Sequence, residues 1–194
     1  MQTTLERPEA VMVHRHRFDV DAYYRMVEAG ILGPEDRVEL IEGEIVDMAP
    51  IGSAHASTTD LLASLFVRAV TDDVAIVRIQ NPLRLDAHNE PQPDLMLLRP
   101  RADRYRQGHP TATDVLLLVE VADSSLAYDH GPKLALYARH GVPEFWIVDL
   151  VGRAVEICRE PGPEGYAERR RVTGGAATPA LVPGVAIDSL VLLG

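Results

Sequence analysis

The chain has 194 residues, of which 46% are hydrophobic and 25% are charged, and its formal net charge at pH 7 is −10. This length predicts one globular domain, and no apolar run approaches the roughly 18 residues that a membrane-spanning helix requires. The single cysteine, Cys158, excludes an intramolecular disulfide and a zinc site built from cysteines. Acids outnumber lysine and arginine 29 to 19, so a nucleic-acid partner would depend on local basic clusters.

The first 16 residues lack hydrophobic periodicity and are predicted to form a flexible arm, followed by a single domain over residues 17–194. Charges and a proline occur in the arm where a secretory signal needs an uninterrupted apolar stretch. A cytoplasmic location without membrane association is therefore expected.

The first third of the chain predicts two helices and a hairpin. Asp19 is a suitable N-cap and Gly30 a suitable C-terminal stop for a helix over 20–29. Alternating apolar and polar residues around Glu42-Gly43 indicate a β-hairpin, and apolar residues at helical spacing predict a second helix over 53–70.

The remaining segments predict a sheet of about six or more strands with helices packed on it, which is a mixed α/β class. Gly131-Pro132 is expected to open a helix that ends near His140, since proline is tolerated in a first helical turn. Strand, helix and strand in succession imply a right-handed crossover. The predicted strands are 74–79, 82–86, 93–98, 115–121 and 144–150, with further strands and turns after residue 153.

Two acids lie in strands that should be covered on both faces. In the strand over 115–121, the side chains of Leu116, Leu118 and Glu120 are expected to point the same way. Asp94 opens the neighbouring apolar run. A buried carboxylate must be protonated, paired with a cation or bound to a metal, and two adjacent carboxylates repel each other unless a cation lies between them. Mg²⁺ or Mn²⁺, which prefer carboxylate and water oxygens, would fit this position.

Lys133 is predicted to lie in the first turn of the helix that Pro132 opens, where the helix dipole disfavours a cation. An anion is therefore expected nearby. It is either Asp129, four residues earlier, or the Asp94/Glu120 pair together with a bound phosphate. Asp129 and Tyr137 lie on the same helical face and are expected to steady the lysine.

Two basic stretches, at residues 99–109 and 169–171, are either solvated loop charges or contacts to a nucleic-acid groove.

The chain resembles the Uma-two family of restriction endonucleases, within the PD-(D/E)XK nuclease superfamily, in the segments "RVELIEGEIVDMAPIGSAH", "QPDLMLL" and "VEVADSSLAYDHGPKLALYARHGVPEFWIVDL". The resemblance implies the restriction-endonuclease-like fold, a central mixed sheet flanked by helices. It also implies a divalent-metal phosphodiesterase site. Asp94 and Glu120 match the two metal-binding acids, Lys133 the lysine displaced onto a helix, Glu39 an N-terminal acid that would bind a second metal, and His55 a histidine after the hairpin.

The chain departs from the superfamily pattern two residues after the second acid, where Ala122 replaces the usual lysine. Gln92, beside the PD motif, is a further candidate for assisting the site. The resemblance as a whole implies a Mg²⁺- or Mn²⁺-dependent DNA endonuclease acting as a homodimer. A non-catalytic binding module with the nuclease fold and a hydrolase of small phosphate esters or nucleotides are the alternatives.

Overall fold

The computed structural model describes residues 14–33 and 35–193. This part of the chain contains both helices and strands, and a π-helical turn, Asp129–Lys133, joins α3 directly to α4. In chain order the elements are α1 Val20–Glu28, β1 Val38–Ile41, β2 Glu44–Asp47, α2 Ser53–Ala69, β3 Ile76–Ile79, β4 Leu95–Leu98, β5 Val115–Ala122, α3 Leu126–Tyr128, α4 Leu134–Arg139, β6 Glu144–Asp149, β7 Ala154–Gly162, β8 Gly165–Val172, β9 Ala176–Ala177, β10 Ile187–Asp188 and α5 Ser189–Leu193.

The central sheet has six strands in the order β3-β4-β5-β6-β7-β8. Strands β5 and β6 are parallel and are connected through the helical segment from α3 to α4, whereas all other neighbouring strands are antiparallel. The predicted mixed sheet is therefore confirmed. Two smaller sheets, β1-β2 and β9-β10, lie outside it.

Two hydrophobic clusters hold helices against opposite faces of the sheet. On one face, Leu62 and Phe66 of α2 and Leu192 of α5 pack with residues of the central strands. On the other face, Leu134 and Tyr137 pack against the sheet. Every side chain of β4, β5 and β6 is buried, as expected for strands that are covered on both faces.

The predicted hairpin is confirmed, and its turn has a specific backbone requirement. Glu42 and Gly43 both have positive φ, 52° and 71°, as a two-residue type I′ turn requires. The hairpin is attached to the segment before β4 by paired backbone hydrogen bonds between Leu40 and Glu90. This attachment brings one face of β1 close to the start of β4.

The helix predicted to start at Gly131-Pro132 in fact starts at Leu126, so the expected helix start is wrong. Gly131 and Pro132 lie inside the π-helical turn, in which the Leu134 N–H donates to the Asp129 carbonyl five residues earlier. A proline within an α-helix lacks one donor and crowds the preceding turn, and the wider π turn accommodates it. Lys133 therefore lies well inside the helical segment, and the helix-dipole argument for its position does not apply.

The predicted strand over 82–86 is also wrong. This segment makes only an isolated bridge, between Arg84 and Thr111. Pro82, Pro91 and Pro93 remove backbone donors around it, so a regular ladder cannot form there.

Leu116 does not share a face with Leu118, contrary to expectation. The pairing of β4 with β5 shifts register between Leu97 and Leu98, and Leu116 packs in the cluster on the α2 side of the sheet, while Leu118 packs on the α4 side. A bulge of this kind inserts one extra residue and reverses the facing of those beyond it.

No helix in the described ranges is long and apolar enough to span a membrane. Of the predicted N-terminal arm, residues 14–16 have no regular secondary structure, and residues 1–13 lie outside the described residues.

Gly43 and Gly141 provide a matched pair for testing the hairpin turn, because both have positive φ. A Cβ at Gly43 would lie 2.8 Å from the Arg17 Cβ and 2.9 Å from the Phe18 carbonyl oxygen, whereas a Cβ at Gly141 would have no neighbour within 4 Å. Gly141→Ala is expected to lower the free energy of unfolding by about 1 kcal/mol, the cost of the left-handed backbone alone. Gly43→Ala should lower it by at least about 1 kcal/mol more. Urea unfolding measures both values, and equal losses would contradict the close approach at Gly43.

Candidate active site

Asp94 and Glu120 are brought together by the antiparallel pairing of β4 with β5. Leu95 is opposite Val119, so Asp94, which precedes β4, lies beside Glu120 near the end of β5. The Val121 N–H donates to Asp94 Oδ2 over 2.8 Å, and the Asp94 N–H lies 3.4 Å from Glu120 Oε2. Both carboxylates are buried. The two acids thus converge where β4 begins and β5 ends, as the sequence predicts.

Glu39 reaches the same place from the hairpin. It lies on β1 and is buried, and its Oε2 accepts a hydrogen bond from the Gln92 N–H over 3.1 Å. The Gln92 side chain donates to the Gln80 carbonyl over 2.6 Å. Gln92 lies in the segment that leads into Asp94, and it therefore links this segment to Glu39 on the hairpin and to Gln80.

Lys133 lies between Glu39 and Glu120. Its Nζ is 3.0 Å from Glu120 Oε1 and 3.3 Å from Glu39 Oε2, and all three side chains are almost completely buried. The Tyr137 hydroxyl donates to the same Glu120 oxygen over 2.8 Å.

The two partners of this contact have different electrostatic surroundings. Burial acts to lower the pKa of Lys133, but the negative charges of Glu120, Glu39 and Asp129 outweigh it and hold the pKa above its usual value, so the amine stays protonated. Burial raises the pKa of Glu120 well above its usual value, and Lys133 partly offsets this rise.

The simple pairing of Lys133 with Asp129 is not observed. Asp129 Oδ2 instead accepts a 2.5 Å hydrogen bond from the Ser125 hydroxyl, and Asp129 affects the lysine only through its charge. Tyr137 contacts Glu120, and so it steadies the carboxylate that the lysine binds.

His55, in the first turn of α2, lies 3.0 Å through Nε2 from Asp94 Oδ2, and Gln80 Nε2 donates to Asp94 Oδ1 over 3.3 Å. Burial acts to raise the pKa of Asp94, but hydrogen bonds from His55, Val121 and Gln80 and the charge of His55 hold it below its usual value. The hydrogen bond to Asp94 raises the pKa of His55. The pair therefore favours an ionised aspartate beside a protonated histidine.

A cleft of about 280 Å³ is bounded by the hairpin, the start of α2 and the segment after β5, and it is lined by Glu39, His55, Asp94, Glu120 and Lys133. His55 Nδ1 and the Tyr128 hydroxyl are buried and make no hydrogen bond within the described part of the chain. Buried polar atoms of this kind are normally satisfied, so their presence indicates that the cleft receives water or a polar ligand.

The oxygen atoms at this point fit a hard divalent cation in type. Within the described residues, Asp94 Oδ1 and Glu120 Oε2 make only long contacts, 3.3 and 3.4 Å, and both residues line the cleft. Mg²⁺ is commonly held by one or two carboxylates and several waters. Across residues 14–33 and 35–193, however, no three His, Cys, Asp or Glu side chains are arranged to enclose a metal. Glu39, which was predicted to bind metal, is engaged by Lys133.

The two basic stretches are largely occupied by local contacts. Arg104 pairs with Asp72, and Arg101 pairs with Asp103 and lies over the Tyr105 ring. On β8, Arg169 and Arg171 both pair with Glu156. Most of these charges are thus already compensated within the protein.

Sequence reasoning did not identify three side chains that line or support the cleft. Gln80 follows β3 and holds Asp94, but fourteen residues separate the two, and the predicted strand between them concealed the contact. Tyr128 and Arg37 line the cleft directly. Nothing in the sequence pointed to Tyr128, because its helix was expected to begin later. Arg37 could have been found, because it lies two residues before Glu39 in the segment that resembles the family.

The fold of this chain has a match among solved structures. It matches a crystal structure described as "a putative nuclease belonging to DUF820 from Anabaena variabilis ATCC 29413", with a TM-score of 0.69 and 14% sequence identity, over 91% of this chain and 97% of that chain. Residues 20–189 match the Uma2 family, described as "Putative restriction endonuclease", and the chain belongs to this family. The expected family is therefore confirmed. No curated protein matches the chain.

Replacing Lys133 with methionine is expected to lower the free energy of unfolding at pH 7 by about 3–5 kcal/mol, because Glu39 and Glu120 would remain buried without a cation. The double variant Lys133→Met/Glu120→Gln should regain at least about 1 kcal/mol, since it removes one of the two uncompensated charges. The loss should shrink toward pH 5, because the raised pKa of Glu120 favours its neutral form as pH falls. Chemical denaturation over pH 5–8 measures this, and an equal loss for both variants would contradict it.

His55 and His109 are predicted to titrate on opposite sides of the ordinary histidine value of about 6.5. The hydrogen bond to Asp94 raises the pKa of His55, while burial lowers the pKa of His109. The stabilisation from the His55–Asp94 pair should be complete below pH 6.5 and should be lost as pH rises through the folded pKa of His55.

NMR titration of the metal-free protein measures both histidines, with His55→Gln used for assignment. In Asp94→Asn the His55 pKa should fall while that of His109 stays unchanged. A His55 pKa that does not respond to Asp94→Asn would rule out the pair as its cause.

Proposed function

We propose that this protein is a metal-dependent DNA endonuclease whose site is formed by Asp94, Glu120, Lys133, Glu39 and His55. The observation that carries the proposal is the convergence of Asp94 and Glu120 with the buried Lys133, on a nuclease fold and in a member of the Uma2 family. Mg²⁺ or Mn²⁺ is the proposed cofactor. By likeness to the family, we also propose a homodimer in the cytoplasm; light scattering gives the mass in solution that tests the dimer.

Asp94 and Glu120 would hold the cation through the oxygens that make only long contacts, and Glu39 would contribute if Lys133 moved away from it. A bound divalent ion lowers the pKa of a water and polarises a phosphoryl oxygen. His55 and Gln80 keep Asp94 oriented and ionised.

Lys133 has three N–H donors, of which two face Glu39 and Glu120, so the third can donate to a phosphate oxygen. It would take the place of the lysine absent at Ala122 and stabilise the charge that grows on the phosphoryl oxygens. The attacking water would lose one proton to the solvent as its oxygen forms a bond to phosphorus, the bond from phosphorus to the leaving oxygen would break, and the leaving oxygen would take up one proton from the solvent. The products are one strand end with a phosphate and one with a hydroxyl.

A hydrolase of small phosphate esters or nucleotides is the second candidate, because the cleft is small and its lining is acidic. Salt distinguishes the two classes. Affinity for DNA falls steeply as salt rises, because each phosphate contact releases counterions, whereas affinity for a mononucleotide depends much less on salt.

A plasmid-nicking assay with Mg²⁺ or Mn²⁺ tests the proposal. Asp94→Asn and Glu120→Gln are each expected to lower the cleavage rate by about 100-fold or more, because each removes a charged cation ligand. Asp60→Asn, the same substitution at an exposed position of α2, should cleave at the wild-type rate.

Cleavage by Asp94→Asn and Glu120→Gln at the wild-type rate would remove these residues from the mechanism. Calorimetry with the same ions separates the non-catalytic alternative. An active site should bind metal saturably in a way that Asp94→Asn abolishes, whereas a binding module without a metal site should show no such heat.

A further inference from the structure

The walls of the cleft contain more acidic than basic side chains, although the substrate proposed above is an anion. Its acidic lining residues are Glu39, Asp47, Asp94, Glu120, Asp123 and Asp129, and its basic ones are Arg37, His55 and Lys133. A metal ion at Asp94 and Glu120 would offset charge only at the reacting phosphate. A neighbouring phosphate of the same strand would therefore need a protein cation that is not already compensated by a carboxylate.

Two of the three basic side chains do not meet this need. Lys133 is almost completely buried and lies between Glu39 and Glu120. His55 Nε2 is directed at Asp94 Oδ2. Both charges are therefore shared with the carboxylates that form the site.

Arg37 differs from them in exposure and in partners. It is exposed at the edge of the cleft, immediately before β1, and its Nη1 donates to the Ala49 carbonyl over 2.9 Å. Within the described ranges it forms no ion pair with a carboxylate. A guanidinium has five N–H donors, so four remain for a ligand.

The backbone around Arg37 is fixed in a way that favours a defined position for its side chain. The Met48 N–H donates to the Arg37 carbonyl over 2.8 Å, which continues the hairpin pairing beyond Val38 and Asp47. This backbone hydrogen bond and the contact to the Ala49 carbonyl together hold Arg37 against the segment that connects β2 to α2.

We propose that Arg37 binds a backbone phosphate of the substrate next to the one that reacts, and thereby positions the strand over Asp94 and Glu120. The planar guanidinium suits this role, since it can donate two parallel hydrogen bonds to one phosphate. The inference rests on the proposed function and names the residue that lets an acidic cleft accept a nucleic acid.

Three variants of the full chain test this role: Arg37→Gln, Arg37→Lys and Arg68→Gln. Arg68 is a matched control, because it is exposed in the last turn of α2, about 20 Å along that helix from His55. Steady-state cleavage of a short DNA duplex gives kcat and KM. Fluorescence anisotropy with the same labelled duplex, in an Asp94→Asn background with Mg²⁺, gives the affinity and its salt dependence.

Arg37→Gln is expected to raise KM and weaken binding about tenfold or more, with kcat changed less than about threefold. The slope of log affinity against log salt should fall by about one, the effect of losing one phosphate contact. Arg37→Lys should recover the salt slope but only part of the affinity, because a lysine keeps the positive charge but cannot donate two parallel hydrogen bonds to one phosphate. Arg68→Gln should match the wild type.

The two proposals fail in different ways. Cleavage at an undiminished rate in Asp94→Asn would overturn the proposed function. Equal KM, affinity and salt slope for Arg37→Gln and Arg68→Gln, in an enzyme that Asp94→Asn still inactivates, would overturn the role of Arg37 alone. A fall in kcat with KM unchanged would also overturn it, since a contact to the neighbouring phosphate, which does not react, acts on binding.

Discussion

The buried Lys133 ammonium, held between Glu39 and Glu120, is the interaction on which the rest of the site depends. Three charged groups are withdrawn from water here, and each is tolerated only because the others are present. The contact joins the hairpin, the central sheet and the helical segment after β5. A displacement of any one of these three elements therefore affects the other two through the Lys133 side chain.

Asp94 is held by a different set of contacts. His55 and Gln80 bind its carboxylate from α2 and from the end of β3, and the Val121 N–H binds it from the neighbouring strand. The two proposed metal ligands thus differ in electrostatic character. The pKa of Asp94 is lowered by its hydrogen bonds, while that of Glu120 is raised by burial. Asp94 is therefore already ionised and able to bind a cation, whereas the ionised form of Glu120 is the one that a nearby cation would stabilise more.

Much of this arrangement was predictable because strand pairing follows from local pattern. Asp94 and Glu120 stand at fixed positions in two apolar runs, and antiparallel pairing of those runs is enough to bring them together. The contact between Lys133 and Glu39 was not predictable in this way. It depends on how a separate hairpin docks against a helical segment, through backbone bonds from Leu40 that no periodicity encodes. The resemblance placed Glu39 near the site, but not its pairing with the lysine.

The π-helical turn at Asp129–Lys133 makes the position of the lysine depend on the length of the segment as well as on its composition. This turn contains one residue more than an α-helical turn closed by the equivalent bond. Deleting one residue from it would remove the extra residue of the π-helical turn and rotate the preceding part against α4 by about 100°. Insertions and deletions here would therefore have far larger effects on the site than most substitutions. The position of Lys133 between Glu39 and Glu120 therefore depends on a single additional residue in this turn.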